Sequence, residues 1–162
     1  MAQHTNPPPS GTASPPLDLS PEGFLARGRS ILAAQPFSML LGAELHSLSP
    51  ALCELHLPLT ASLQQHVGFA HGGVVCYAAD SALTFAGAAA LRIRVVTSEF
   101  KINYVRPAIG EQLIARAKVV HAGRTQAVCC CEVFVLREGV EKLCAIAQGT
   151  IVAQAPAPGN SA

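Results

Sequence analysis

Tryptophan is missing from this chain, and Tyr77 and Tyr104 are its only tyrosines, so stacking platforms for nucleobases are scarce. Charge is thin as well. Only 13% of residues are Asp, Glu, Lys or Arg, the net charge is +1, and no dense basic run occurs. Nucleic acid and an acidic membrane surface are therefore not expected as partners. The six cysteines, Cys53, Cys76, Cys129, Cys130, Cys131 and Cys144, contain no C-x-x-C pair. Zinc-site spacing is missing, and the thiols read as small buried hydrophobes. The opening residues, MAQHTNPPPSGTASPP, have neither the basic region nor the apolar stretch of an export signal. Reduced thiols without such a signal lead us to expect a cytoplasmic protein.

What is present is apolar. Half of the 162 residues are hydrophobic, enough for one domain with a real core and too much for a disordered chain. The proline-rich stretch 1–19 reads as a flexible tail, 20–153 as one domain and 154–162 as a second tail. Ser20-Pro21-Glu22 has the signature of a helix start, and that helix should end before Pro36. Leu40–Leu48 and Ala51–Leu57 flank a Ser49-Pro50 turn and predict a hairpin. A loop over 58–70 leads to a long helix over roughly 72–90. Alternation then marks strands over 97–104, 112–121, 125–136 and 142–152. The strand over 125–136 is apolar on both faces, as expected of a central position.

Gly72–Leu91 is long enough to cross a bilayer. Asp80 would then sit near mid-membrane, at a cost of about 3 kcal/mol. Sheet-like segments follow at once, so a helix wrapped by protein is the better reading. The fold class expected is α+β: an antiparallel sheet of five to six strands around one long helix. A monomer cannot use all this apolar surface, which predicts self-association as a dimer or larger.

The richest segment is QHVGFAHGGVVCYAADSALTFAGAAAL, Gln65–Leu91. A His-Gly-Gly turn opens the helix, and its glycines leave backbone N–H groups accessible at the positive end of a helix dipole. Asp80 is the lone acid on an apolar helix, a costly placement that suggests a task. Such amides stabilise the oxyanion of an attacked carbonyl, and a carboxylate among Ala78, Ala79, Ala82 and Leu83 is suited to act as base or nucleophile. The opposing readings are a structural core acid and glycines that serve only tight packing.

The pattern Gln65-x-x-Gly68-x-x-His71-Gly72-Gly73, with an acid nine residues after the histidine, resembles the hotdog-fold acyl-CoA thioesterases of the phenylacetate-pathway, PaaI-like, type. VVTSEFKINYVRPAIGE, HAGRTQAVCCCEVFV and CAIAQGTIVA resemble that family's later strands, over roughly residues 36–153. The resemblance implies an acyl-CoA hydrolase, often tetrameric, with no metal and no cofactor beyond the coenzyme A of its substrate. In it the Gly72 N–H polarises the thioester carbonyl, and Asp80 is nucleophile or general base. Gln65 orients the carbonyl or water, Thr97 lies beside the water, and His71 is more structural than catalytic. Gly73, Phe69 and Tyr77 are candidates for substrate binding, and Arg106 and Arg124, with Arg92 and Arg94, for the coenzyme A phosphates. Asp80 lies about 12 Å from Gly72 along one helix, so one carbonyl can hardly meet both groups, and the simplest solution pairs Gly72 of one chain with Asp80 of its neighbour. A non-catalytic acyl-CoA sensor and a hotdog hydratase or dehydratase are the alternatives. The sensor's usual DNA-reading helices are missing, and so is the dehydratase's His–acid pattern.

Overall fold

The computed structural model describes residues 20–155. The expected tails over 1–19 and 156–162 lie outside the described residues. Residue Gln154 is not loose: its N–H donates to the Arg94 carbonyl at 2.9 Å.

Helix α1 (Pro21–Ala33) begins as the sequence requires, with Ser20 Oγ accepting from Gly23 N–H and proline in the first turn. A short helix α2 (Pro36–Leu40) follows, where the sequence had suggested loop and the start of a strand. Pro36 does two jobs: it stops one helix and opens the next. Leu40 is therefore helical, and Gly42 at φ +69° turns the chain into the sheet. Strands β1 (Glu44–Leu48) and β2 (Leu52–Pro58) form the expected hairpin. In its turn, Ser49 Oγ accepts from Leu52 N–H at 3.1 Å.

The long helix α3 (Gly72–Leu91) is followed by β3 (Val95–Tyr104), β4 (Gln112–Ala122), β5 (Gln126–Arg137) and β6 (Val140–Ala153). The strands make one antiparallel sheet in the order β1-β2-β4-β5-β6-β3, with β5 inside as expected. Glu138 and Gly139 both have positive φ, the backbone of a tight two-residue hairpin turn. Alternation aims Cys53, Leu55 and Leu57 of β2 and Ala127, Cys129, Cys131, Val133 and Val135 of β5 at α3, all buried. Against them α3 buries Val74, Val75, Ala78, Ala79, Ala82, Leu83, Phe85 and Ala86. The helix is long and apolar enough to span a membrane, but 56% of its most hydropathic stretch is buried inside the protein. At Gly87 a methyl would stand 2.7 Å from Ile151 Cβ, so α3 and β6 approach as closely as glycine allows.

Of the cysteines, Cys53, Cys129, Cys131 and Cys144 are buried and Cys76 and Cys130 half-buried, all as free thiols.

Candidate active site

Helix α3 starts where three residues divide the work. His71 is the N-cap, and its Nδ1 accepts from Gly73 N–H at 3.0 Å. Accepting there leaves the ring proton on Nε2. Val74 N–H donates to the His71 carbonyl at 2.9 Å. The Gly72 N–H meets no acceptor among the described residues, so the first turn keeps one amide for a ligand. His71 is thus a cap, and the Gly73 amide, a candidate for substrate binding, is already engaged within the turn. Tyr104 closes the other side, its hydroxyl donating to the Gly72 carbonyl at 3.1 Å.

A cavity of about 420 Å³ opens at this turn, lined among others by Gln65, Phe69, Gly72, Val75, Tyr104 and Arg106. Four residues selected from the sequence, Gln65, Phe69, Gly72 and Arg106, therefore converge on one space. Gln65 is fixed by its backbone, which donates to Phe69 O at 2.8 Å and accepts from Gly68 N–H at 3.1 Å. Exposed Arg106 spends one N–H on the Leu143 carbonyl at 2.7 Å, which leaves other donors of its fork facing outward.

Asp80 and Thr97 are not in that cavity. They form a second cluster two turns along α3. Thr97 Oγ1 donates to Asp80 Oδ1 at 2.8 Å, and Thr84 Oγ1 lies 2.8 Å from Thr97 Oγ1 and 2.8 Å from the Asp80 carbonyl. Two hydroxyl protons serve three contacts. Thr97 commits its proton to the carboxylate and Thr84 its own to the Asp80 carbonyl, so the contact between the two hydroxyls is left without a proton. Gly72, Cys76, Asp80 and Thr84 follow the i, i+4 spacing and form one half-buried stripe on α3. Burial, then the Asp80 carboxylate, pushes the Cys76 thiol up. Burial, then Cys76, does the same to the Tyr104 phenol.

The bulge at Ser98 makes this second cluster. Register slips between Thr97 and Glu99 of β3, so Thr97, Phe100 and Ile102 all turn toward the helix. Strict alternation had set Thr97 on the face opposite Phe100 and Ile102. Thr84 and Cys76 were missed from the sequence, although their spacing from Asp80 carries the signal. Tyr77 lies elsewhere, its ring edge-on to Phe37 with centroids 5.4 Å apart and its hydroxyl buried without a partner among the described residues. Arg124 sits in the β4–β5 turn, beside Gln126, which pairs with Val152. Val96 at the start of β3 pairs with the same Val152, whereas Tyr104 pairs with Ala145, so Arg124 and the Gly72 cavity occupy opposite ends of the sheet.

One antiparallel sheet wrapped on a single long helix is the hotdog fold. Comparison with known proteins agrees. Residues 67–142 match the thioesterase superfamily. A thioesterase family protein from Silicibacter pomeroyi is 35% identical over 80% of this chain and 96% of its own, with a TM-score of 0.76. A thioesterase from Haemophilus influenzae is 25% identical over 79% of this chain and 88% of its own, with a TM-score of 0.68. The E. coli PaaI protein from the phenylacetic acid degradation operon shares the fold: TM-score 0.72 at 20% identity, over 84% of this chain and 97% of its own. No curated protein matched the sequence. The chain belongs to the thioesterase superfamily and is a thioester hydrolase of hotdog fold.

Proposed function

We propose that this protein hydrolyses acyl-CoA thioesters to the free acid and coenzyme A, in sites shared between two copies of the chain. The observation that carries this reading is the pairing of a free Gly72 amide with an Asp80 carboxylate two turns away on the same helix. Their separation, about 12 Å along the axis, exceeds what one thioester carbon and its oxygen can bridge. Antiparallel α3 helices across a twofold axis bring Gly72 of one protomer to Asp80 of its partner.

The thioester oxygen then accepts from Gly72 N–H, whose electrostatic stabilisation grows as negative charge develops. Asp80 activates water or attacks directly, with Thr97 holding one carboxylate oxygen and leaving the other toward the reactants. Gln65 borders the carbonyl's approach. Tyr104 holds the following peptide through the Gly72 carbonyl. Arg106 at the cavity mouth supplies a cation for the phosphates of coenzyme A, whereas Arg124, at the far sheet end, can meet only a coenzyme A bound from the partner's side. Six free thiols fit a reducing, cytoplasmic setting.

Gly72→Pro makes a sharp test. Proline suits the first helical position and removes the N–H, its ring standing where that N–H pointed. His71, at φ −61° and ψ 135°, already has the extended backbone required before proline. Thiol release from acyl-CoA should fall about 100-fold or more in Gly72→Pro and in Asp80→Asn homodimers. Isolated heterodimers of the two variants should show about half the wild-type rate, because one of their two sites is whole; an equal mixture that re-pairs at random should show about a quarter. Absence of recovery in verified heterodimers refutes the shared site, and full activity of Asp80→Asn refutes the mechanism.

A further inference from the structure

The face of the sheet turned away from α3 carries a polar cluster that thioester hydrolysis does not use. In β2, Cys53, Leu55 and Leu57 point into the core, so Glu54 and His56 point outward. In β1, register slips between Leu45 and Ser47, and the extra residue is His46. This bulge swings the His46 ring onto His56, with centroids 4.5 Å apart and planes 3° from parallel. His56 Nε2 and Glu54 Oε1 are 2.7 Å apart. One ligand atom from each of His46, Glu54 and His56 lies within 4.8 Å of the others.

We propose that His46, Glu54 and His56 bind a divalent transition metal of the zinc class. A point within about 2.8 Å of all three atoms exists for any triangle of that size, and the usual zinc–nitrogen and zinc–oxygen lengths of about 2.0–2.2 Å are reached once the two rings turn out of their parallel stack, because an imidazole lone pair lies in the plane of its ring. Two imidazoles with one carboxylate are a common zinc donor set, with the fourth position left to water. A cavity of about 250 Å³ beside both imidazoles, lined also by Arg29, Met39 and Glu44, has room for that water.

The surroundings are organised for it. Arg116 Nε donates to Glu54 Oε2 at 2.6 Å, which leaves Oε1 facing the histidines. Arg116 is itself held by Glu141, with Nη2 donating to Oε1 at 2.8 Å. Such outer partners orient a ligating carboxylate. Around the cluster, Glu44, Glu54 and Glu141 outnumber Arg29 and Arg116 by one negative charge. A dication over two neutral imidazoles offsets that excess. The metal replaces the proton between His56 and Glu54 and pins the β1–β2 hairpin.

The full chain, without an affinity tag and stripped with chelator, is titrated with Zn²⁺ by calorimetry and with Co²⁺ by visible absorption. One metal per chain and the intense bands of four-coordinate Co²⁺ are expected. His46→Ala and His56→Ala should each weaken binding about 10-fold or more. Zn²⁺ should raise the melting temperature of wild type but of neither variant. Exposed His46 can be truncated without opening the core, so His46→Ala decides the matter if His56→Ala fails to fold. No saturable binding to wild type, or unchanged binding in His46→Ala, overturns the site. Asp80→Asn should bind Zn²⁺ like wild type, which separates this proposal from the catalytic one.

Discussion

Thr97 has one hydroxyl proton and two oxygen neighbours, and the way it resolves that shortage positions Asp80. Its proton goes to the carboxylate, while Thr84 gives its own to the Asp80 carbonyl. Thr97→Val keeps the shape and removes the pin. We expect kcat of thioester hydrolysis to fall about 10- to 100-fold with KM nearly unchanged, and Thr97→Ser to recover most of it. A loss of Thr97→Val confined to KM would contradict a positioning role. Glu54 sets a second residue-level expectation. Its folded pKa lies below the usual value because the hydrogen bonds from Arg116 and His56 outweigh burial. A depressed carboxylate contributes stability above its unfolded pKa and loses it as pH falls through the folded one. Metal-free Glu54→Gln should therefore be about 1 kcal/mol less stable than wild type at pH 7. Urea unfolding should show the gap closing below about pH 4, near the unfolded carboxyl value.

At the scale of elements, the critical contact is α3 on β6. A methyl at Gly87 would meet Ile151 Cβ and Cγ2 at 2.7 Å, and a β-branched stem cannot swing away. Gly87→Ala gains about 1 kcal/mol of helix propensity. Overpacking at that contact costs about 1–3 kcal/mol. We expect net destabilisation of about 1 kcal/mol in denaturant melts; a stabilised variant would mean that α3 slides freely on the sheet. Periodicity made most elements legible. The spans of α1, α3 and the six strands agree within a few residues, because α3 keeps its buried stripe and the strands keep period two. Two features escaped for local reasons. Helix α2 is short enough that Pro36 reads equally as a stop or a start. The Ser98 and His46 bulges each add one residue to a strand, and a period-two pattern carries no mark of where its phase flips. That flip is what brings Thr97 to Asp80, so the Gly72 half of the site could be assembled from sequence, while the Thr97 contact rested on resemblance alone.

For the whole molecule, the cysteines report whether one sheet really closes around one helix. Burial holds the Cys129 and Cys144 thiols at about 11 and Cys131 at about 12, and it raises Cys53 further still. These four are buried away from solvent, and for Cys144 burial outweighs the pull of the Arg106 charge, so the thiol form is retained. Cys130 lies on the outer sheet face and Cys76 on the half-buried stripe of α3. A disulfide dye at pH 8 should thus label at most Cys76 and Cys130 in the native protein, and all six cysteines in strong denaturant. The proposed dimerisation across α3 adds a distinction within this pair. Cys76 lies one turn from Asp80, on the stripe that the partner's Gly72 must approach, whereas Cys130 is on the opposite side of the sheet. Labelling of Cys76 should slow as protein concentration rises through the dimer range, and saturating coenzyme A should slow it further. Cys130 should react at the same rate throughout. A Cys76 rate independent of both concentration and ligand would place that stripe in open solvent and remove the partner from the active site.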